Sequence, residues 1–221
     1  MFFYFDDGYY YPTTAGTILL VALLLVAVVL AVIVASKNSD HKTFSAKKLV
    51  FSGMAIAIAY VLSFIQVIKL PYGGAVTPFS MLLICLIGYW YGVKAGLLTG
   101  FAYSILQFLQ DPYILTPFQV CCDYFFAFTA LGLSGLFSGK KHGLQIGYLV
   151  GVLARLFFHV LGGYIYWMEY MPDNFPVALK WAYPVIYNGS YIGLEAVITL
   201  ILLAIPAVDK AMKRVKTMAL N

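Results

Sequence analysis

Polar side chains lie inside stretches that are otherwise apolar, and the candidates among them are Asp123, Arg155, His159, Asn188 and Glu195. Inside a membrane bundle, polar groups are costly unless they are paired, so each one marks a candidate site. A buried carboxylate attracts a cation, and histidine and asparagine can both donate and accept hydrogen bonds. The chemistry that these residue types indicate is the binding of a polar, positively charged ligand.

Helical spacing brings several of these residues together. Arg155, His159, Gly163 and Trp167 follow one another in steps of four, which places them on one face of a helix. Because Gly163 has no side chain, it leaves space in which a neighbouring helix or a planar ligand could approach.

Three polar groups from three predicted helices lie at a similar depth. At 1.5 Å per residue, Asp123, His159 and Asn188 each lie roughly 10–12 Å inside the external helix ends. Aromatic side chains lie at or above that level. The arrangement predicts an outward-open pocket with a carboxylate floor and aromatic walls, which suits a flat cation.

Structural interpretations compete with this prediction. Asp123 and Arg155 could form a buried ion pair between two helices. His159 alone would more often be a structural hydrogen-bonding residue, and aromatic residues form belts at membrane interfaces without any ligand. Glu195 lies deeper in its helix, where it is expected to cap Arg155 or another helix, and no ligand role is predicted for it.

The elements that position these residues are membrane helices. Hydrophobic residues make up 62% of the chain and charged residues 10%, and the mean hydropathy is +0.88. Soluble domains carry about 25% charged residues. A length of 221 residues allows six or seven spans of about 20 residues each. These spans leave no room for a soluble catalytic domain. The three cysteines, Cys85, Cys121 and Cys122, have neither disulfide nor metal-ligand spacing.

Apolar runs predict seven transmembrane helices, at residues 15–35, 48–68, 79–93, 95–110, 117–137, 144–166 and 182–206. Basic residues concentrate in alternate gaps, at Lys37, Lys42, Lys47, Lys48, Lys94, Lys140, Lys141, Lys210, Lys213, Arg214 and Lys216. The positive-inside rule then predicts an external N-terminus and a cytoplasmic C-terminus in the plasma membrane. The net charge of +5 therefore reflects topology rather than a nucleic-acid partner.

The first apolar run differs from a signal peptide. Its leader is acidic and rich in tyrosine, and the run at 15–35 is long enough to span the bilayer. We therefore expect a retained accessory helix. The predicted organisation is an N-terminal tail, helix and linker over residues 1–45, followed by a six-helix domain over residues 46–221.

Four stretches resemble the ThiT (YuaJ) family of thiamine-binding proteins: LPYGGAVTPFSM at 70–81, DPYILTPFQVCCDYFFAF at 111–128, RLFFHVLGGYIYW at 155–167 and YPVIYNGSYIGLE at 183–195. This resemblance covers about residues 46–215 and joins the motifs in the family's order. It implies an all-α six-helix S-component of an energy-coupling factor vitamin transporter, here preceded by one extra helix. It also implies high-affinity capture of thiamine and no cofactor. The implied partners are a transmembrane T-protein and two cytoplasmic ATPases.

The resemblance also implies which residues bind the ligand. The acid that meets the aminopyrimidine would be Asp123, where the family has glutamate, and Tyr72 is the nearest counterpart of a first-loop tryptophan. Hydrogen bonds would come from His159 and Asn188. The full set of implied ligand-binding residues is Asp123, Tyr124, His159, Gly163, Trp167, Tyr183, Asn188, Tyr113 and Tyr72.

A stripe of small residues has two interpretations. S-components resemble one another in docking the T-protein through an Ala-x-x-x-Ala stripe on the first core helix, and Ala55 and Ala59 match it. Packing within the bundle is an equally good interpretation, because small residues let helix backbones approach closely in lipid.

Other functions remain as alternatives. A different vitamin would need no buried carboxylate facing a cationic ring. A stand-alone carrier would be expected to show inverted repeats of broken helices. An intramembrane enzyme could use Asp123 and His159 as an acid–base pair, but no serine or cysteine nucleophile stands beside a base and no metal set is evident.

Overall fold

Seven helices follow one another in the computed structural model, which describes residues 2–6, 9–16, 18–19 and 45–221. They are α1 (Ala46–Ser63), α2 (Ser80–Tyr91), α3 (Val93–Gln110), α4 (Pro117–Phe137), α5 (Gly143–Tyr166), α6 (Tyr183–Ala204) and α7 (Pro206–Leu220). Four segments are long and apolar enough to cross a membrane: α1, α4, α5 and Val177–Ala204, which contains α6. The prediction of an all-α membrane fold is confirmed.

Six of the predicted spans coincide with α1 to α6 to within five residues at each end. The largest difference is at the end of α1, which stops at Ser63 rather than continuing to residue 68 because the chain turns into a hairpin. The predicted N-terminal span lies largely outside the described residues, although 14–16 and 18–19 are helical. Before it, the strands β1 (Phe3–Asp6) and β2 (Tyr9–Pro12) pair in antiparallel fashion.

Close backbone contact holds the centre of the bundle together. A Cβ atom placed on Gly132 of α4 would lie 2.2 Å from the backbone carbon of Gly96 in α3. A Cβ on Gly147 of α5 would lie 2.5 Å from the carbonyl oxygen of Ser134 in α4. Glycines at these positions let three helices touch backbone to backbone, because small residues allow close helix approach in lipid.

The α1–α2 connection crosses one end of the bundle as a short hairpin. Its strands are β3 (Ile68–Lys69) and β4 (Ala75–Val76), paired antiparallel. Glu195 of α6 fastens the end of this connection, accepting hydrogen bonds from the amide and hydroxyl of Thr77 at 3.2 and 2.9 Å. The same carboxylate accepts from the hydroxyl of Ser80 and the amide of Met81 at the start of α2.

Glu195 thus caps another helix, one of the two structural roles predicted for it. A carboxylate is favourable there because the first amide groups of a helix lack partners and carry partial positive charge. No ion pair within 4 Å joins Glu195 to Arg155 in the described part of the chain.

The docking prediction for Ala55 and Ala59 is corrected by the structure. Their exposed fractions are 7% and 0%, and the hydroxyl of Tyr103 in α3 approaches the carbonyl oxygen of Ala59 at 3.4 Å. Both alanines therefore pack inside the bundle and offer no surface to a partner. The small residues on the exposed face of α1 are Gly53 and Ala57, and a Cβ on Gly53 would meet nothing within 4 Å.

Candidate ligand-binding site

A cavity of about 420 Å³ lies at the end of the bundle that carries the β3–β4 hairpin. Its walls come from α1 to α6 and their connections at this end. All the residues that sequence analysis assigned to the ligand line it: Tyr72, Tyr113, Asp123, Tyr124, His159, Gly163, Trp167, Tyr183 and Asn188. The structure therefore brings the whole predicted set together around a single cavity of a size typical for small-molecule sites.

Asp123 lies in an irregular turn of α4. Thr116 caps the helix by accepting a hydrogen bond from the amide of Gln119 at 3.1 Å, and Pro117 occupies the first turn. The segment Cys121–Phe126 is then π-helical, a local widening that is frequent at functional sites. Asp123 and its neighbour Tyr124 both belong to this segment and line the cavity.

The two oxygens of the Asp123 carboxylate have different surroundings. Oδ2 accepts hydrogen bonds from the side-chain amide of Gln119 at 2.6 Å and from the indole nitrogen of Trp167 at 3.0 Å. Oδ1 has His159 Nδ1 at 3.7 Å, which is beyond ordinary hydrogen-bonding distance. The carboxylate is thus fixed through one oxygen, and the other retains capacity to accept hydrogen bonds.

Arg155 contacts His159 rather than Asp123. Its Nε donates to His159 Nε2 at 3.3 Å, and its guanidinium carbon lies 4.3 Å from the ring centre of Phe128. Since His159 Nε2 accepts, the neutral imidazole carries its proton on Nδ1, facing Asp123. Within the described residues no ion pair joins Asp123 to Arg155, so the alternative of a direct pair is not supported, and His159 lies between them.

Asn188 is oriented by its own hydrogen bonds. Its amide nitrogen donates to the carbonyl oxygens of Pro184 at 2.9 Å and His159 at 3.4 Å. Its side-chain oxygen accepts from the hydroxyl of Tyr191 at 2.9 Å. These contacts link α5 to α6 and fix which end of the amide faces which partner.

Four aromatic rings gather beside the carboxylate. Trp167, at the end of α5, lies 4.9 Å from Tyr113, 5.1 Å from Tyr170 and 6.5 Å from Tyr72 between ring centres. Tyr72 and Tyr170 are 5.3 Å apart. Tyr72, in the α1–α2 connection, thus stands next to Trp167, and Tyr170 joins the group although sequence analysis did not single it out.

Other tyrosines line the cavity while their hydroxyls fasten loops. Tyr124 donates to the carbonyl oxygen of Asp111 at 2.8 Å and accepts from the amide of Tyr113 at 3.0 Å. Tyr187 of α6 donates to the carbonyl oxygen of Pro71 and accepts from the amide of Gly74 at 3.2 Å. The α1–α2 and α3–α4 connections are therefore both held at the edge of the cavity by tyrosine side chains.

A second polar cluster lines the cavity between α1 and α3. Ser63 donates to Gln110 Oε1 at 2.7 Å, and Gln107 Nε2 donates to the Ser63 hydroxyl at 3.0 Å and to Gln110 Oε1 at 3.2 Å. These bonds join the ends of two helices and do not involve Asp123.

Comparison with known proteins identifies the family. Residues 49–215 match the model of the family described as Thiamine transporter protein (Thia_YuaJ). The chain belongs to this family. Since its members are transporters, the alternative of an intramembrane enzyme is not supported.

Individual relatives agree with the family assignment. The thiamine transporter ThiT of Bacillus subtilis is 30% identical over 174 residues, covering 72% of this chain and 88% of the relative. ThiT of Lacticaseibacillus paracasei is 26% identical over 171 residues, covering 71% and 82%. A solved structure of ThiT from Listeria monocytogenes shares the fold, with a TM-score of 0.60, 24% identity, and coverage of 73% of this chain and 96% of that one.

Two neighbouring glycines of α5, Gly162 and Gly163, have different structural roles. A Cβ on Gly163 would lie 2.7 Å from the Cβ of Pro184, so its missing side chain lets α5 approach α6. A Cβ on Gly162 would lie 2.9 Å from Asp123 Oδ1 and 3.3 Å from the Cβ of Cys122. Gly162, which sequence analysis did not select, therefore makes room for the carboxylate.

Gly162→Ala is expected to displace the Asp123 carboxylate, because the added methyl group would occupy the space beside Oδ1. Trp167 reports this displacement, since its indole binds the same carboxylate. In a W90F/W181F background, which leaves Trp167 as the sole tryptophan, we expect a shifted emission maximum. Gly189→Ala is the matched control, because a Cβ there would meet nothing within 4 Å. Identical emission in both alanine variants would contradict the assigned role of Gly162.

Proposed function

We propose that this protein is the thiamine-binding S-component of an energy-coupling factor transporter and that it captures thiamine with high affinity in the cavity beside Asp123. The observation that carries the proposal is a half-satisfied carboxylate in a cavity walled by aromatic rings. Thiamine joins a cationic thiazolium ring to an aminopyrimidine ring. A flat cation is attracted both by a carboxylate and by the faces of aromatic side chains.

The residue roles follow from this pairing. Asp123 Oδ1 would accept a hydrogen bond or pair with charge on the ligand, directly or through one water, since aspartate is one methylene shorter than the family's glutamate. Trp167 and Tyr183 would stack on the two rings. Their positions support this, because Trp167 lies at the aromatic group and Tyr183 on the α6 side of the same cavity.

The remaining predicted residues complete the walls. His159 and Asn188 would supply hydrogen bonds, His159 from the protonated Nδ1 that faces Asp123. Tyr72, Tyr113 and Tyr124 would close the sides of the cavity. The ring of Tyr72 packs against Tyr170. The hydroxyl of Tyr124 accepts from the amide of Tyr113 and donates to the carbonyl oxygen of Asp111.

Orientation in the membrane follows from charge. The cavity lies at the end formed by the α1–α2, α3–α4 and α5–α6 connections, where basic residues are few. Lys94, Lys140, Lys141 and the basic residues of α7 lie at the other end of the helices. The positive-inside rule then supports a cavity that opens to the outside of the plasma membrane and a cytoplasmic C-terminus.

Energy for transport would come from partner proteins. We propose a transmembrane T-protein and two cytoplasmic ATPases as partners, because the 221 residues hold no phosphate-binding loop. The exposed face of α1 that carries Gly53 and Ala57 is the better candidate for docking the T-protein than the buried Ala55 and Ala59. Small exposed residues allow two helices to approach closely.

Thiamine should quench the tryptophan fluorescence of the purified protein in a saturable titration. Asp123→Asn is expected to raise Kd about 30-fold or more, because removing one partner of a desolvated charge pair costs about 2 kcal/mol or more. Asp123→Glu is the matched control, since it keeps the charge and restores the family's residue; it should bind far more tightly than the asparagine variant. Saturable quenching by another vitamin but not by thiamine would contradict the ligand assignment. Equal affinity of the wild-type protein and the asparagine variant would contradict the role of Asp123.

ATP-dependent thiamine uptake should require co-expression of the partner subunits. Gly53→Trp should reduce this uptake strongly while leaving thiamine binding to the purified protein intact, because α1 exposes Gly53 away from the cavity. Val197→Trp on the exposed face of α6 serves as the control for a bulky residue facing lipid. Uptake by this chain alone would favour a stand-alone carrier. Equal uptake by the two tryptophan variants would contradict docking through α1.

A further inference from the structure

Gln119 lies in the stretch at 111–128, but the resemblance implied no ligand role for it. Its side chain is completely buried beside the cavity. Its side-chain oxygen accepts from the amide of Leu115 at 3.0 Å, and its side-chain nitrogen donates to Asp123 Oδ2 at 2.6 Å. Its own amide donates to the capping hydroxyl of Thr116. Both ends of the glutamine side chain are therefore fixed, one by the backbone that starts α4 and the other by the carboxylate.

We propose that Gln119 is the positioning residue of the site: it fixes the Asp123 carboxylate so that Oδ1 faces the ligand, and thereby sets the preference for a ligand whose ring donates a hydrogen bond to this carboxylate. This inference rests on the proposed function, because it assumes that Asp123 meets the ligand. Gln119 itself acts through Asp123 and is not required to touch the ligand.

The division of hydrogen bonds supports this role. Gln119 and Trp167 both donate to Oδ2, whereas His159 Nδ1 lies 3.7 Å from Oδ1. An aspartate side chain has two rotatable bonds, so a carboxylate held through Oδ2 is restrained before the ligand arrives. Restraint of this kind strengthens binding because less conformational entropy is lost on association.

The chemistry of the donor also matters. An amide stabilises a carboxylate by a hydrogen bond and leaves its negative charge in place, whereas a lysine or arginine at the same position would neutralise it. Gln119 thus keeps a charged hydrogen-bond acceptor available inside a buried site. Arg155, the nearby cation, contacts His159 instead and leaves the Asp123 carboxylate without a direct ion pair from arginine among the described residues.

Gln119→Leu tests the proposal, because leucine is similar in size but cannot donate. Titration calorimetry would compare thiamine with an isostere in which a phenyl ring replaces the aminopyrimidine and so presents no hydrogen-bond donor to Asp123. We expect Kd for thiamine to rise about 10- to 100-fold, the range for a lost hydrogen bond to a charged group. Kd for the isostere should change by no more than about 3-fold, within the range of a weak neutral contact.

Gln107→Leu is the matched control. Gln107 lines the same cavity but bonds to Ser63 and Gln110, so its loss should shift both ligands by the same factor. If Gln119→Leu also shifts both ligands equally, or shifts neither, the positioning role is overturned. Failure of the wild-type protein to bind thiamine would instead overturn the proposed function, so the two failures are distinguishable.

Gln119→Glu gives a second test that does not depend on the leucine variant folding. It keeps the acceptor for Leu115 and places a second carboxylate beside Asp123, so the two would share one proton. Thiamine binding by this variant should then strengthen as pH rises, because the shared proton leaves and the negative charge beside the ligand increases. His159 and Arg155 of α5 face the same site, and they are present in the wild-type protein as well. A pH profile that matches the wild type would overturn the proposal.

Discussion

The rest of the site depends on the hydrogen bonds that hold the Asp123 carboxylate in place. A charge inside a membrane bundle is stable only when hydrogen bonds replace the water it has lost. Two donors from different elements meet this need at one oxygen, Gln119 from the start of α4 and Trp167 from the end of α5. The π-helical turn that carries Asp123 and the missing side chain at Gly162 both serve the placement of this one group.

A second buried carboxylate differs from Asp123 in how completely its oxygens are hydrogen-bonded. Glu195 accepts four hydrogen bonds from Thr77, Ser80 and Met81, through both of its oxygens, and so fastens α2 and its preceding connection to α6. Within the described part of the chain, Asp123 accepts two hydrogen bonds, both at Oδ2. Glu195 is satisfied by its own protein, whereas Asp123 retains capacity at Oδ1. A carboxylate therefore stabilises the fold in one place, and in the other it has the free capacity on which the proposed ligand contact rests.

Much of this arrangement could be predicted from sequence because membrane helices are long and their polar residues are few. Apolar runs located α1 to α6, and spacing by four placed His159 and Trp167 on one face. The resemblance to ThiT gathered nine residues that the structure places around one cavity. The spans and the shared face were predictable because helical geometry is regular over those segments, whereas the nine cavity residues came from the resemblance.

Other features depend on contacts that a sequence does not display. The π-helical turn at Cys121–Phe126 breaks the regular periodicity on which face assignments rest. Ala55 and Ala59 were assigned to an outer face although Gly53 and Ala57 occupy it, because α1 is apolar on all sides and its pattern does not fix its rotation. Gln119 did carry a signal, since it stands four residues before Asp123 and therefore on the same side of a helix, but the sequence does not show that its side chain bonds to that carboxylate.

The most direct test of the central claim is a crystal structure of the full chain with thiamine. Thiamine should fill the cavity between Trp167 and Tyr183, with Asp123 Oδ1 in contact with the ligand directly or through one water. Oδ2 should keep its hydrogen bond from Gln119. Thiamine bound outside this cavity, or within it with Oδ1 turned away from both rings, would contradict the proposed role of Asp123.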